Sequence, residues 1–224
     1  MVTFDGQTSR LQLLPETDPR LRQVCEDFNI EGDPNGALLL ANALKALLIE
    51  YKAVGLAAPQ VGVMARVFAF GNFADPESIV VAFNPNILDE FGENVRYEEG
   101  CVSFPGLFLR VTRKSAIRVR YTLATGATDT IKFDGMTARV FLHEYDHLNG
   151  ITFTTRASMS ERIRGRNKQK QLLRRMKAYK KTHKGKLPTE PVVLNEQPVI
   201  LDDTKVRIPI GSPETESLSL TISS

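Results

Sequence analysis

Residues 143–147 read His143-Glu144-Tyr145-Asp146-His147, and the placement of this pentapeptide decides fold and chemistry together. In an α-helix residues i and i+4 share one face, so both imidazoles can reach one metal ion while Glu144 reaches a water on that ion. The flanking sequence has helical periodicity. From about Thr137 to Asn149, Val140, Phe141, Leu142, Tyr145 and Leu148 surround the axis almost completely, and Gly150 offers a C-terminal cap. A helix apolar all round is a core helix. Two of the three histidines in the chain fall in it, where unliganded polar groups are costly.

A hydrolytic metal site needs a third protein ligand and an open position for water. Phe153 stands where the HExxHxxGxxH pattern places a third histidine, and Glu161 lies in a strongly basic segment, a poor ligand position. Cys101, in a loop-like context between Gly100 and Ser103, is the attractive remaining candidate, because a metal charge stabilises its thiolate. Cys25, between Val24 and Glu26, reads as a buried or half-buried thiol.

Working outward, Met64 to Phe133 holds short apolar or alternating runs such as ARVFAF, IVVAFNP and SAIRVRYTL, separated by turn residues, and reads as mostly antiparallel strand. Upstream, Asp18 as N-cap, Pro19, and Leu21, Val24, Cys25 and Phe28 at helical spacing predict a first helix. GDPNG at 32–36 breaks it. A longer helix follows, with Leu38, Leu39, Leu40, Ala43, Leu44, Leu47 and Leu48 as a wide apolar face, and runs into a loop, VGLAAPQVG, at 54–62.

The chain has 224 residues, 42% hydrophobic and 25% charged, enough to bury one substantial core. The apolar-rich stretch Ala37 to Ile49 is interrupted by Asn42 and Lys45 and falls short of the roughly 20 residues a membrane helix needs, so no membrane partner is expected. The first twenty residues show no secretory or organelle pattern, and the two cysteines are too few for a disulfide scaffold. A cytoplasmic, monomeric protein is the expectation. The formal charge of +3 hides an asymmetry: residues 1–155 carry net −5, residues 156–186 net +12 and residues 187–224 net −4.

Three segments resemble the motifs of the peptide deformylase family, in the same order and at similar intervals: AVGLAAPQ at 53–60, EGCVS at 99–103 and HEYDH at 143–147. The resemblance spans roughly residues 10–157. It implies an α+β fold with a central metal-binding helix packed inside antiparallel β-sheets, and removal of the N-formyl group from new polypeptides that begin with formyl-methionine. It implies Cys101, His143 and His147 as ligands of one divalent ion, Fe²⁺ first, with Zn²⁺, Ni²⁺ or Co²⁺ as replacements. Glu144 is then general base and proton donor, acting with a hydroxide generated at the metal, and Gln60 and the Val102 N–H hold the oxyanion. The extended substrate is expected against Val54, Gly55, Gly100 and Val102, with its methionine side chain near Val140, His143 and Glu144 and with Arg139 at the rim. Phe108 stands where many members carry an arginine that meets the peptide backbone, and Arg110 shares its face only if 108–110 is extended.

The expected organisation is a catalytic domain over 1–157, a basic helix over 158–186 and an acidic Pro/Ser/Thr-rich extension over 187–224. In the helix Leu172, Leu173, Met176 and Tyr179 form one side, Gly165 is a weak point, and Arg162, Arg166, Lys170, Arg174, Lys177 and Lys181 recur every three or four residues. Such crowded like charges favour a polyanionic partner, and the resemblance suggests the ribosome. His183 is expected to be solvated, and 192–210 to hold one or two short strands. Two further readings stay open on sequence: a zinc peptidase of other specificity, carried by HExxH alone, and an inactive RNA-binding module.

Overall fold

Four residues in a row, Val67 to Phe70, are fully buried although alternate side chains of a strand point to opposite faces. A helix therefore covers each face. In the computed structural model, which describes residues 1–7, 11–182, 192–194, 197–201 and 206–207, these residues form β2 of a five-stranded antiparallel sheet. Its order is β1 (Gly55–Ala57), β2 (Val67–Phe70), β3 (Val80–Gly100), β4 (Phe108–Thr122), β5 (Thr128–Asp134). Val67 and Ala69 pack with helix α1 (Pro34–Glu50), and Phe68 and Phe70 pack with helix α2 (Gly135–Leu148). The architecture is α+β, with the helix that carries HEYDH against the sheet.

α1 starts inside GDPNG rather than after it. Asp33 caps the helix by accepting from the Gly36 N–H at 2.9 Å, and Pro34 occupies the first turn, where its missing N–H costs nothing. Its buried face is Ala37, Leu40, Ala41, Leu44 and Leu48. Leu38 and Leu39, expected inside, are 47% and 46% exposed. The predicted helix over 18–28 is not formed: only Pro19–Arg22 makes a short 3-10 turn under the Asp18 cap. Beyond it the backbone bonds to distant elements, Cys25 N–H to Leu148 O at 2.9 Å and Arg66 N–H to Glu26 O at 2.8 Å. The 54–62 segment is likewise more ordered than a loop, since it supplies edge strand β1 and the 3-10 turn Ala58–Val61.

α2 is fixed by aromatic contacts. The Phe141 ring lies 4.8 Å from Phe68, 5.6 Å from Phe70 and 5.7 Å from Phe133 between centroids. After a single turn of helix, α3 (Phe153–Arg156), comes the basic helix α4 (Met159–Thr182). It packs on the body through Glu161, Gly165, Gln169 and Leu172, spaced four, four and three, while Leu173 is exposed. Gly165 is a point of close approach: a Cβ there would strike the Leu109 side chain and sit 2.9 Å from the Phe108 carbonyl.

Three short strands, β6 (Val192–Leu194), β7 (Gln197–Leu201) and β8 (Val206–Arg207), pair antiparallel with one another. His183, the end of the basic segment and the rest of the 187–224 extension lie outside the described residues. Among the described residues no helix is long and apolar enough to cross a membrane.

Candidate metal centre

α2 and the loop between β3 and β4 meet at one point. The helix turns His143 and His147 to the same side, ring centroids 5.2 Å apart, and the loop brings in Cys101. One ligand atom from each of the three lies within 4.8 Å of the others, and Cys101 Sγ is 3.4 Å from His147 Nε2. Two imidazoles and a thiolate suit a borderline-soft divalent ion. The surroundings fit such an ion as well. His143 is oriented through Nδ1, 3.0 Å from Glu99 Oε2, so its other nitrogen is presented to the cluster, as in metal sites where a carboxylate fixes the imidazole. Burial and the neighbouring His143 and Arg113 charges hold His147 well below the usual imidazole range, whereas hydrogen bonds with Cys101 and Glu99 outweigh burial and hold His143 above it; the buried His147 Nδ1 has no hydrogen-bond partner among the described residues.

Glu144 stands beside this cluster, 4% exposed, and its Oε2 has no hydrogen-bond partner among the described residues. Burial raises its carboxyl to about 7, against the opposing pull of the His143 and Arg113 charges. The space it occupies exists because Gly55 has no side chain: a Cβ there would strike Glu144 Oε1 and come within 2.8 Å of its Cγ and Cδ. Gly55, expected against the substrate backbone, also makes room for this carboxylate. Gln60 is aimed from the other side. The Ala57 N–H donates to its Oε1 at 2.8 Å, which turns Nε2 toward Cys101 Sγ at 3.2 Å and Ser103 Oγ at 3.3 Å.

Of the other expected residues, Val102 is half-buried in the loop after Cys101. Val54 is half-buried and its carbonyl accepts from the Gly71 N–H at 3.0 Å. Val140 is half-buried against the aromatic cluster of α2. Gly100 pairs with Phe108 across the strands, and the Phe108 ring covers it, 2.5 Å from where a Cβ would be. The segment 108–110 is extended, so the exposed Arg110 shares the face of Phe108. Arg139 is not at a rim. It is buried, donates to Glu99 Oε1 at 2.7 Å and to the Val111 and Val95 carbonyls at 3.1 and 2.7 Å, and its charge belongs to the interior.

That interior holds residues the sequence reading missed. Arg113 donates to both Glu99 oxygens at 2.6 and 2.9 Å and to Asp146 Oδ2 at 2.8 Å. Arg156 reaches both Asp146 oxygens at 3.1 and 2.6 Å. Burial alone would raise the Glu99 carboxyl, but hydrogen bonds from His143 and Arg113 hold it far below the ordinary range. The signal was present in β4: Leu109 and Val111 alternate inward, and the next inward position is Arg113, a charge that needs buried partners.

The comparisons agree with this arrangement. A family model described as Polypeptide deformylase matches residues 11–163. A curated peptide deformylase of Prochlorococcus marinus is 39% identical over 127 residues, covering 56% of this chain and 63% of its own length; the chain thus spans somewhat under two thirds of that relative. The crystal structure of a peptide deformylase from Legionella pneumophila superposes with a TM-score of 0.67 at 30% identity, over 75% of this chain and 97% of that one. A Met-Ala-Ser-bound class I type b peptide deformylase from Acinetobacter baumannii superposes with a TM-score of 0.60 at 33% identity, over 65% of this chain and 97% of that one. With a family match over most of its length and the three motif segments gathered at one point, the chain belongs to the polypeptide deformylase family.

Proposed function

We propose that the chain hydrolyses the formyl amide of formyl-methionine at the N-terminus of newly made polypeptides. The observation that carries this is the meeting of Cys101, His143 and His147 within ligand distance of one another, with Glu144 and Gln60 beside them. We assign the three as ligands of one divalent ion, Fe²⁺ first, with Zn²⁺, Ni²⁺ and Co²⁺ as alternatives. Such an ion, when bound, supplies Lewis acidity, lowering the pKa of a water toward about 7 and polarising the formyl carbonyl.

The chain's own groups do the rest. Glu144 accepts the proton of the attacking water at its carboxylate and returns it to the amine nitrogen as the C–N bond breaks. Gln60 Nε2 and the Val102 N–H donate to the oxygen on which charge builds. Removing one such donor typically costs on the order of 10²–10³ in rate. β1 is the terminal strand of its sheet, so its second edge suits an extended peptide along Val54 and Gly55, with Gly100 and Val102 opposite and the methionine side chain toward Val140. The tripeptide Met-Ala-Ser bound to the Acinetobacter relative matches a product of this kind. Phe108 in place of a cation leaves that peptide an apolar neighbour.

We assign catalysis to 1–157, acting as a cytoplasmic monomer, and docking on the ribosome to the basic segment 158–186, which includes α4. Arg164, Lys168, Lys170, Arg174, Arg175, Lys177 and Lys181 are exposed on α4, which suits a phosphate-rich partner and makes co-sedimentation with ribosomes strongly salt-dependent. The decisive test is formate release from a formyl-Met peptide by anaerobically iron- or nickel-loaded protein. Turnover is expected, and Glu144→Gln is expected to abolish it while metal stays bound. No formate from fully loaded wild-type protein would overturn the reading. Cleavage of unformylated peptides would favour the zinc-peptidase alternative.

A further inference from the structure

The loop that carries Cys101 is gripped from outside by α4. Residues 101–107 make two successive turns, closed by Phe104 N–H to Cys101 O at 2.9 Å and Leu107 N–H to Phe104 O at 3.1 Å. Phe104 and Leu107 pack with Leu14, Leu21 and Phe153. The Pro105 carbonyl accepts from Gln169 Nε2 at 2.9 Å. Gln169 lies in the stripe that α4 buries and is 7% exposed. Its Oε1 accepts from Arg166 Nη1 at 2.9 Å, and the same nitrogen donates to both carboxylate oxygens of Glu16 at 3.0 and 2.7 Å. Two residues before Glu16, the Leu14 N–H donates to the Gln60 carbonyl at 2.8 Å.

Hydrogen bonds therefore join the helix directly to the Cys101 loop, and through Glu16 and the two residues of backbone before it to the Gln60 segment. An apolar side chain at 169 would continue the stripe of Leu172 without desolvating an amide, and a buried amide is tolerated only with its donor and acceptor satisfied. The glutamine has both, and both lead toward the metal centre. We propose that Gln169, with Arg166 and Glu16, is a positioning clamp that holds the Cys101–Leu107 loop and the Gln60 backbone in place relative to α2. It acts through Pro105 and Leu14 and touches no substrate. The identity of the groups it positions rests on the deformylase reading above.

The test uses the full chain loaded with Co²⁺, whose d–d and thiolate charge-transfer bands report the Cys101 geometry independently of turnover. Gln169→Ala removes both contacts, and Gln169→Glu keeps the acceptor for Arg166 but sets a carboxylate against the Pro105 carbonyl. Both are expected to shift the Co²⁺ bands and lower kcat about 10-fold, the lower end of what losing a supporting contact around a metal ligand costs, with KM and the thermal midpoint little changed. Glu16→Gln keeps an acceptor for Arg166 and is expected to retain most of the activity. Unmoved bands and unchanged kcat in Gln169→Glu would overturn the proposal, as would a loss that only follows a fall in midpoint or metal content. Wild-type protein that shows the thiolate band but releases no formate would fail the deformylase reading alone, and the spectral comparison would still decide the clamp.

Discussion

Glu144 can stand where it does because position 55 carries no side chain, and this makes Gly55→Ala an informative change. Alanine reduces the freedom of the unfolded chain, a stabilising effect of about 0.4–1 kcal/mol. Its methyl also takes the space of the Glu144 carboxylate, and a misplacement of about 1 Å at a catalytic group can cost 10²-fold. The expected result is kcat/KM lowered about 100-fold with metal content and thermal midpoint nearly unchanged, read by formate release beside metal analysis. Glu99→Gln probes the other side of the cluster. It leaves the buried Arg113 and Arg139 without their shared anion, so stability should fall by about 3–5 kcal/mol in denaturant titrations and metal affinity by 10–100-fold in competition with a chelator. At this scale the sequence put Glu99 in a motif and Arg113 at an inward strand position, but their pairing was not legible, because it depends on which strands become neighbours.

Between β3 and β4 the chain makes a long hairpin whose pairing runs from Phe83 with Thr122 to Gly100 with Phe108, and α4 lies across its end at Gly165. Alanine at 165 should favour the helix by about 1 kcal/mol on propensity alone. The same methyl would meet the Phe108 carbonyl at 2.9 Å and the Leu109 side chain. Backbone cannot step aside as a flexible side chain can, so overpacking of about 1–3 kcal/mol is expected to win: Gly165→Ala should lower the denaturation midpoint, and a higher midpoint would show that α4 does not sit this tightly. Elements whose hydrogen bonds are local, α1, α2 and α4, could be read from periodicity. The 18–28 segment misled because its apolar spacing imitates a helix while its backbone partners, Leu148 for Cys25 and Arg66 for Glu26, come from remote parts of the chain.

For the molecule as a whole, the two cysteines separate the folded state from the metal-free one. Cys25 is buried, and desolvation pushes its thiol up to about 11 despite the Arg66 charge, so at pH 8 it should resist alkylation until the protein unfolds. Cys101 is only half-buried and should become reactive when a chelator strips the ion; mass spectrometry of the labelled protein distinguishes one modified cysteine from two. The proposed ligands come from parts of the chain far apart, with Cys101 and His147 separated by 46 residues. An ion that joins them is a cross-link, closing β4, β5 and α2 into one ring. By the chain-entropy relation used for disulfides, a closure of this size is worth roughly 4 kcal/mol. A catalytic ion held there would double as a removable staple, and a chelator would act on the chain as a reductant acts on a disulfide-bonded protein.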